Sequence, residues 1–278
     1  MRRTAALAAA LAAWELGARL RWLDPLLFPP PTEVAGVLYG LVVSGGFWGH
    51  LRTTVLEAFL GLLLGVLAGG VLGLAAAVFR PVAELLEPVM ALLNAVPRVI
   101  LAPLFVIWLG IGVASKVALS FLLVCVVVFF AVYTGIREVD PRLVDRVRTL
   151  GGSSLDVVRE VYLPSLAAWL VSGLKVAVGF AFTGAVVGEF VAASRGIGYL
   201  LSFAQSTYNA RLTLALVLLV MGVILALFGL FAALERHWLR WKPEYRRPAP
   251  RLEPSAIPPT AALHSPSVRG AFDERGGG

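Results

Sequence analysis

The chain has 278 residues, of which 15% are charged and 59% hydrophobic, and its mean hydropathy is +0.84. A soluble domain carries about 25% charged residues, so a soluble globular class is excluded. The formal net charge of +7 raises nucleic acid as a partner, but the placement of the charges along the chain speaks for membrane orientation instead.

The first apolar run, Ala5–Leu20, follows Arg2 and Arg3. A basic start with small apolar residues behind it fits a secretory signal, but ahead of several further apolar runs a retained first helix is expected. Glu15 and Arg19 stand one helical turn apart, where pairing lowers the cost of placing both near the membrane interface. Leu23–Thr32 (LDPLLFPPPT) cannot continue a helix through three prolines, so an extended connector outside the membrane is expected. A short surface helix over Glu33–Tyr39, capped by Thr32, should follow.

Further apolar runs lie at Val55–Phe79, Val89–Ile111, Val117–Ile136, Leu166–Ala193 and Leu212–Leu234. A helix needs about 20 apolar residues to cross a bilayer. None of the runs alternates as the strands of a membrane β-barrel would. The expectation is an all-α polytopic membrane protein with about six crossings. Gly61, Gly65, Gly69 and Gly73 form one stripe on the second crossing. Such a stripe allows close backbone approach, either as packing within one subunit or as a sliding face. Pro97 and Pro103 break the third run, with Asn94 and Arg98 beside the first break. An arginine at that depth points to a cavity wall or an interface rather than lipid. In the fifth run, Glu189 follows the small residues Gly184, Ala185 and Gly188, and Thr183 lies just before them. Ionisable groups inside spans are functional candidates, so Glu189, Asn94, Arg98 and Thr183 are the translocation-path candidates. Glu189 suits gating or interhelix hydrogen bonding. Lys175 is expected to snorkel as an anchor. Arg195–Asn209 is too polar to extend the span and reads as a short external helix or a re-entrant turn.

Cys125 stands alone, so no disulfide framework is expected, and the scattered histidines (His50, His237, His264) imply no metal site. No cofactor is expected. The chain divides into a first helix and connector (1–50), a transmembrane domain (51–241) and a Pro-, Arg- and Gly-rich tail (242–278) expected to be disordered.

The polar loop at 139–164 separates two of these runs. Asp140–Pro141 supplies an N-cap and a proline at the first helical position. Leu143, Val147 and Leu150 share one face, and Gly151–Gly152 ends the helix. Ser153 and Asp156 have capping-box spacing, and a second short helix should carry Leu155, Val158 and Tyr162 on one face until Leu163–Pro164 ends it. Two amphipathic helices at a Gly-Gly corner suit either a partner's groove or a bed of lipid headgroups. With the N-terminus inside, Arg2, Arg3, Arg80, the loop arginines and those after Leu234 share the cytoplasmic side. They outnumber Arg19, Arg21, Arg52, Lys116, Arg195 and Arg211 opposite. Both termini and the loop are therefore expected in the cytoplasm.

Gly151, nine residues and then Val161-x-Leu163-Pro164 resemble the G-x9-I-x-L-P core of the EAA loop of ATP-binding-cassette (ABC) importer permeases. The stretches PLFVIWLGIGVASKVAL (Pro103–Leu119), GIREVDP (Gly135–Pro141), GLKVAVG (Gly173–Gly179), VVGEF (Val186–Phe190) and GIGYL (Gly196–Leu200) extend the resemblance to the nitrate/sulfonate/taurine-type members. The acidic-Ala-Ala opening of that loop falls on Asp145, Arg146 and Val147, where only the acidic character is kept. The resemblance implies a type I importer fold in the inner membrane, working as a pair of permease copies. Its partners would be a dimer of cytoplasmic ABC ATPase subunits and an extracytoplasmic substrate-binding protein. Asp145, Gly151, Gly152, Ser153, Asp156, Val161, Leu163 and Pro164 would form the ATPase-coupling loop. The cargo would be a sulfonate, nitrate, taurine or similar small anion, or a thiamine-precursor-like compound. The chain has no Gly-x4-Gly-Lys-Ser/Thr, so it holds no P-loop and its own role is non-catalytic. A self-sufficient ion-coupled carrier is the alternative; it should show paired half-repeats and several intramembrane carboxylates. No internal repeat is visible, and Glu189 is the one carboxylate expected deep in a span.

Overall fold

The computed structural model describes residues 2–24 and 26–238. The helical body is the unit Met1–Glu235; of the second unit, Arg236–Gly278, only the last turn of the final helix is described. The expectation of a disordered tail at 242–278 therefore lies outside the described residues. Among the described residues every regular element is helical.

Helix α1 (Arg2–Arg19) is followed by the connector and α2 (Pro31–Val43). The last of the three prolines occupies the first turn of α2, where its missing N–H costs no helical bond. Thr32 does not cap this helix. Its N–H and hydroxyl instead donate to the Glu15 carboxylate at 3.1 and 2.9 Å, and Arg19 Nε donates to the same group at 2.6 Å. The expected Glu15–Arg19 pair is thus present, and it has taken over the threonine.

Helices α3 (Gly46–Val78), α6 (Val113–Arg137) and α9 (Leu163–Val191) form the centre of the body, with α6 between the other two. Their shared core joins Val124, Val128 and Val132 to Ala58, Ala177, Ala181, Phe182 and Ala185. The glycine stripe packs against α6 within this chain. A Cβ on Gly65 would stand 2.6 Å from Val124 Cβ, and one on Gly69 only 2.5 Å from the Cys125 carbonyl oxygen. Side chains at these positions would force the helices apart, so the stripe sets their spacing.

Among the described residues four helices are long and apolar enough to cross a membrane: Gly46–Val78, Val113–Arg137, Ser154–Val191 and Ala210–Ala233. The last belongs to α11 (Ala210–Trp238). Helix α1 has the length but carries Arg2, Arg3, Glu15 and Arg19. The Val89–Ile111 run is not one helix. It is divided into α4 (Arg80–Ala95), a 3-10 turn (Arg98–Ile100) and α5 (Leu101–Leu109). Pro97 explains the break, because the residue before a proline is driven out of helical geometry, and Val96 is extended with ψ 130°.

The loop between α6 and α9 holds α7 (Pro141–Thr149) and α8 (Ser154–Val157). A π-helical turn (Val158–Tyr162) joins α8 to α9, so the helix does not end at Leu163–Pro164 as its sequence suggests. The wider turn, with Leu163 N–H bonded to the Val158 carbonyl, lets the chain pass Pro164 without a break. The inward face of this second helix also differs from expectation. Val157 and Val161 are buried, whereas Leu155 and Val158 face out.

Candidate functional site

Two regions hold the candidate side chains, one at each end of α9. At its beginning, Asp140 accepts a hydrogen bond from the Arg142 N–H at 2.9 Å and fixes the start of α7. Gly151 adopts φ +82°, a left-handed conformation that glycine takes at little cost. Gly151 N–H donates to the Arg148 carbonyl at 3.0 Å, and Gly152 N–H to the Val147 carbonyl at 2.9 Å. This double closure is a Schellman motif. Immediately after it, the Ser153 N–H donates to Asp156 Oδ2 at 2.8 Å and the Asp156 N–H to Ser153 Oγ at 3.3 Å, a complete capping box.

No residue of α7 is buried. Leu143, Leu150 and Leu155 present apolar side chains to the surroundings, Leu150 with 81% of its surface exposed. Asp145 is exposed as well, and its carbonyl accepts from the Thr149 hydroxyl at 2.8 Å. Of the expected loop residues, Val161 is buried and anchors the base, while Leu163 is exposed and Pro164 half-buried. The loop is therefore shaped by local hydrogen bonds and anchored through its second helix. Its corner and first helix are left free to contact something else.

At the far end of α9, Glu189 is fully buried. The Thr54 hydroxyl of α3 donates to its carboxylate oxygens at 2.7 and 3.0 Å, and the Gly198 N–H donates to it at 2.8 Å. Thr54 Oγ1 accepts from the Ile197 N–H at 2.9 Å, and His50 Nδ1 accepts from the Gly196 N–H at 3.0 Å. Tyr199 stacks on the His50 ring with centroids 5.9 Å apart. These bonds dock the corner between α9 and the short helix α10 (Ile197–Ser206) onto α3. Within Arg195–Asn209 the chain thus forms one short helix, Ile197–Ser206, packed on the bundle.

Besides Thr54, the sequence reading missed three members of this cluster. Glu57 is buried within hydrogen-bonding reach of Glu189. Lys116, also buried, donates to the Ile111 carbonyl and acts electrostatically on both carboxyls. His50 is the third. Glu189 is therefore not the one carboxyl deep in the bundle. A signal was available: His50, Thr54 and Glu57 recur at helical spacing on the face of α3 that continues into Gly61, Gly65, Gly69 and Gly73.

The other path candidates are not gathered here. Asn94 is exposed near the end of α4, and Thr183 faces a groove of about 440 Å³ lined also by Lys175, Gly179, Ile224 and Phe228. The Thr183 hydroxyl donates back to the Gly179 carbonyl at 2.8 Å. The backbone of Arg98 opens the 3-10 turn after α4, and its side chain lies outside the described residues.

Exposed apolar residues on a locally rigid loop, together with apolar helices around a small-residue spine, are the parts of a driven membrane component. The family match decides between such components: residues 61–240 fit the binding-protein-dependent transport system inner membrane component family. The chain belongs to that family. It is 35% identical over 215 residues to an ABC transporter permease protein of Haemophilus influenzae, covering 77% of this chain and 87% of the relative. A permease named for aliphatic sulfonates transport in Escherichia coli is 33% identical over 241 residues, covering 84% and 89% of the two chains. Matches named for taurine, riboflavin and formylaminopyrimidine transport have 30%, 30% and 27% identity. Among solved structures, an amino acid ABC transporter superposes with a TM-score of 0.57 at 18% identity, over 74% of this chain and 98% of that one. The fold is that of type I ABC importer permeases. The chain is accordingly a multi-pass inner-membrane permease subunit, and ATP hydrolysis belongs to a separate ATPase. The family implies that ATPase and a substrate-binding protein as partners.

Proposed function

We propose that this permease forms, as two copies, the path through which an ATP-driven importer moves a small anion of the sulfonate type. The loop at 139–164 lies in the cytoplasm in this reading, with both termini, and seats in the groove of the ATPase subunit. Closure of the ATPase dimer then displaces the loop and, through the π-helical turn, the whole of α9. The exposed, fully capped α7 and its Gly151 corner carry this proposal: the bonds that hold the corner leave Leu143, Leu150 and Leu155 free to bind. Asp145, Gly152, Ser153 and Asp156 shape that surface, and Val161, Leu163 and Pro164 tie it to α9.

The sulfonate assignment rests on the relatives named for aliphatic sulfonates and taurine transport. Riboflavin- and formylaminopyrimidine-named relatives make those compounds the competing cargo. In this reading Glu189 holds the external gate, and Asn94, Arg98 and Thr183 line parts of the path.

The test is uptake into proteoliposomes holding this chain, its ATPase and its binding protein, compared with Gly151→Val. A β-branched residue is strained at φ +82° whatever the space around it. The variant should leave ATP hydrolysis running while uptake falls at least tenfold. Full ATP-driven uptake by Gly151→Val would contradict the coupling role. Uptake by the chain alone under an ion gradient would establish an ion-coupled carrier instead.

A further inference from the structure

Glu189 has a part in the proposed gate, whereas Glu57 beside it has none. Glu57 is only 3% exposed, and its Oε2 is a buried polar atom without a hydrogen-bond partner. The residue lies on α3 just inside Thr54, before the stretch matched to the family. Two charged groups act on it, Glu189 of α9 and Lys116 of α6. Around Glu189 itself stand the Thr54 hydroxyl, one turn from Glu57 on α3, and the Gly198 N–H of the α9–α10 corner, while His50 and Thr54 hold the N–H groups of Gly196 and Ile197.

Counting donors at Glu189 leaves one position open. Its two oxygens take the Thr54 O–H and the Gly198 N–H, and the remaining neighbour is the Glu57 carboxyl. Two ionised carboxylates in such contact repel, and a pair of this kind holds one proton between them. With its ammonium protonated, Lys116 brings one positive charge to the two carboxyls it acts on. One ionised carboxylate balances it and two would not. An ionised Glu189 with three donors also fits its bonds to Thr54 and Gly198, whereas a protonated Glu189 would waste an acceptor.

We propose that Glu57 and Glu189 share a single proton, carried on Glu57 and donated to the Glu189 carboxylate, and that this proton holds the α9–α10 corner closed against α3. Glu57 is then a positioning residue of the far gate. It acts through Glu189 and touches no cargo. Loss of the proton places two negative charges side by side and loosens the corner that Thr54 and Gly198 fasten. Opening this end and deprotonating the pair are therefore linked, and each favours the other.

The substitutions at the two positions are predicted to be unequal. Glu57→Gln keeps a permanent donor facing Glu189 and should retain uptake within about twofold. Glu189→Gln leaves one acceptor oxygen for the donors gathered there and should lower uptake about tenfold or more. Uptake by the wild type should fall off more steeply at alkaline pH than uptake by Glu57→Gln, which has no proton to lose.

The deciding measurement is infrared spectroscopy of the full-length wild-type chain in lipid nanodiscs at neutral pH. A carboxylic-acid C=O stretch from a buried group, slow to shift on transfer to heavy water, is expected and should vanish in Glu57→Gln. Absence of that band in the wild type, or its persistence in Glu57→Gln, would overturn the shared proton. The wild-type spectrum needs no substitution, so a variant that fails to fold does not blunt the test. The gate role rests on the permease reading, but the band does not. Wild-type proteoliposomes that fail to import with ATPase and binding protein present would count against that reading and leave the spectrum as evidence for the proton.

Discussion

At the loop end of α9, the hydrogen bonds that shape the chain join residues two to five apart, as in Asp140 to Arg142, Asp145 to Thr149, Ser153 to Asp156 and Gly152 to Val147. At the far end one bond is local, Gly198 to Glu189, and the others join residues 135 to 146 apart, linking His50 and Thr54 to Glu189, Gly196 and Ile197. The loop is thus a preformed tool, stiff in itself and free on its outer side. The far end is a joint, assembled only when α3, α6 and α9 have packed. The proposed function needs both, with the loop as lever and the far end as gate: a lever that deformed would transmit nothing, and a gate that could not come apart would not open.

The contrast depends on a rigid spine between the two ends, so the most disruptive substitution should strike there. Gly65→Leu places its side chain into Val124 and should cost about 3 kcal/mol or more, or prevent folding. Thermal unfolding in lipid nanodiscs reads the loss. A stable Gly65→Leu protein with unchanged uptake would show that α3 and α6 need not lie so close.

Next in size is Thr54→Val, which preserves shape but removes the hydroxyl that links Glu189 to the Ile197 N–H. Leaving those buried groups short of a partner should cost about 1–3 kcal/mol. The corner formed by Gly196–Gly198 should then exchange its amide protons faster while the loop at 139–164 stays unchanged. Equal acceleration at both ends would erase the distinction between tool and joint.

Ser153→Ala removes one half of the capping box and should cost about 1 kcal/mol of local helix stability. Its signature is the reverse of the previous one: faster exchange in α8 with the far end untouched, and weaker coupling of ATP hydrolysis to uptake. The smallest effect is expected from Arg211→Ala. The Glu33–Arg211 pair, 2.8 Å apart, is about half exposed at both residues, and such pairs contribute under about 1 kcal/mol. A thermal shift as large as that of Thr54→Val would mean that α2 braces the bundle.

The same division governs what could be read in the sequence. Asp140–Pro141, the Gly-Gly corner and Ser153-x-x-Asp156 are legible because their partners lie within a turn. The glycine stripe is legible because spacing of four places it on one face, although only the packed helices reveal α6 as its partner. The π-helical turn was hidden, since Leu163–Pro164 reads as a stop unless the preceding turn widens. The inward face of that helix was misjudged for a related reason: Val157 and Val161 face in because α9 continues through the proline. Thr54 and Glu57 went unread because their partner lies more than a hundred residues away, although their spacing with His50 placed three polar groups on the buried face of α3. Asn94, Arg98 and Thr183 were selected for polarity within apolar runs, and polarity alone does not say which wall of a helix faces the path.

The most direct test of the central claim, that the loop at 139–164 is gripped by an ATPase, uses the single native cysteine to advantage. Cys125 is buried, so a Leu150→Cys variant carries one accessible thiol, at a position 81% exposed in the isolated chain. In the assembled transporter a short thiol-directed crosslinker at that position should capture the ATPase subunit, with a yield that changes between nucleotide-free and ATP-bound states. An active transporter in which this thiol never reaches the ATPase, or is labelled from outside intact cells by a membrane-impermeant reagent, would contradict the account.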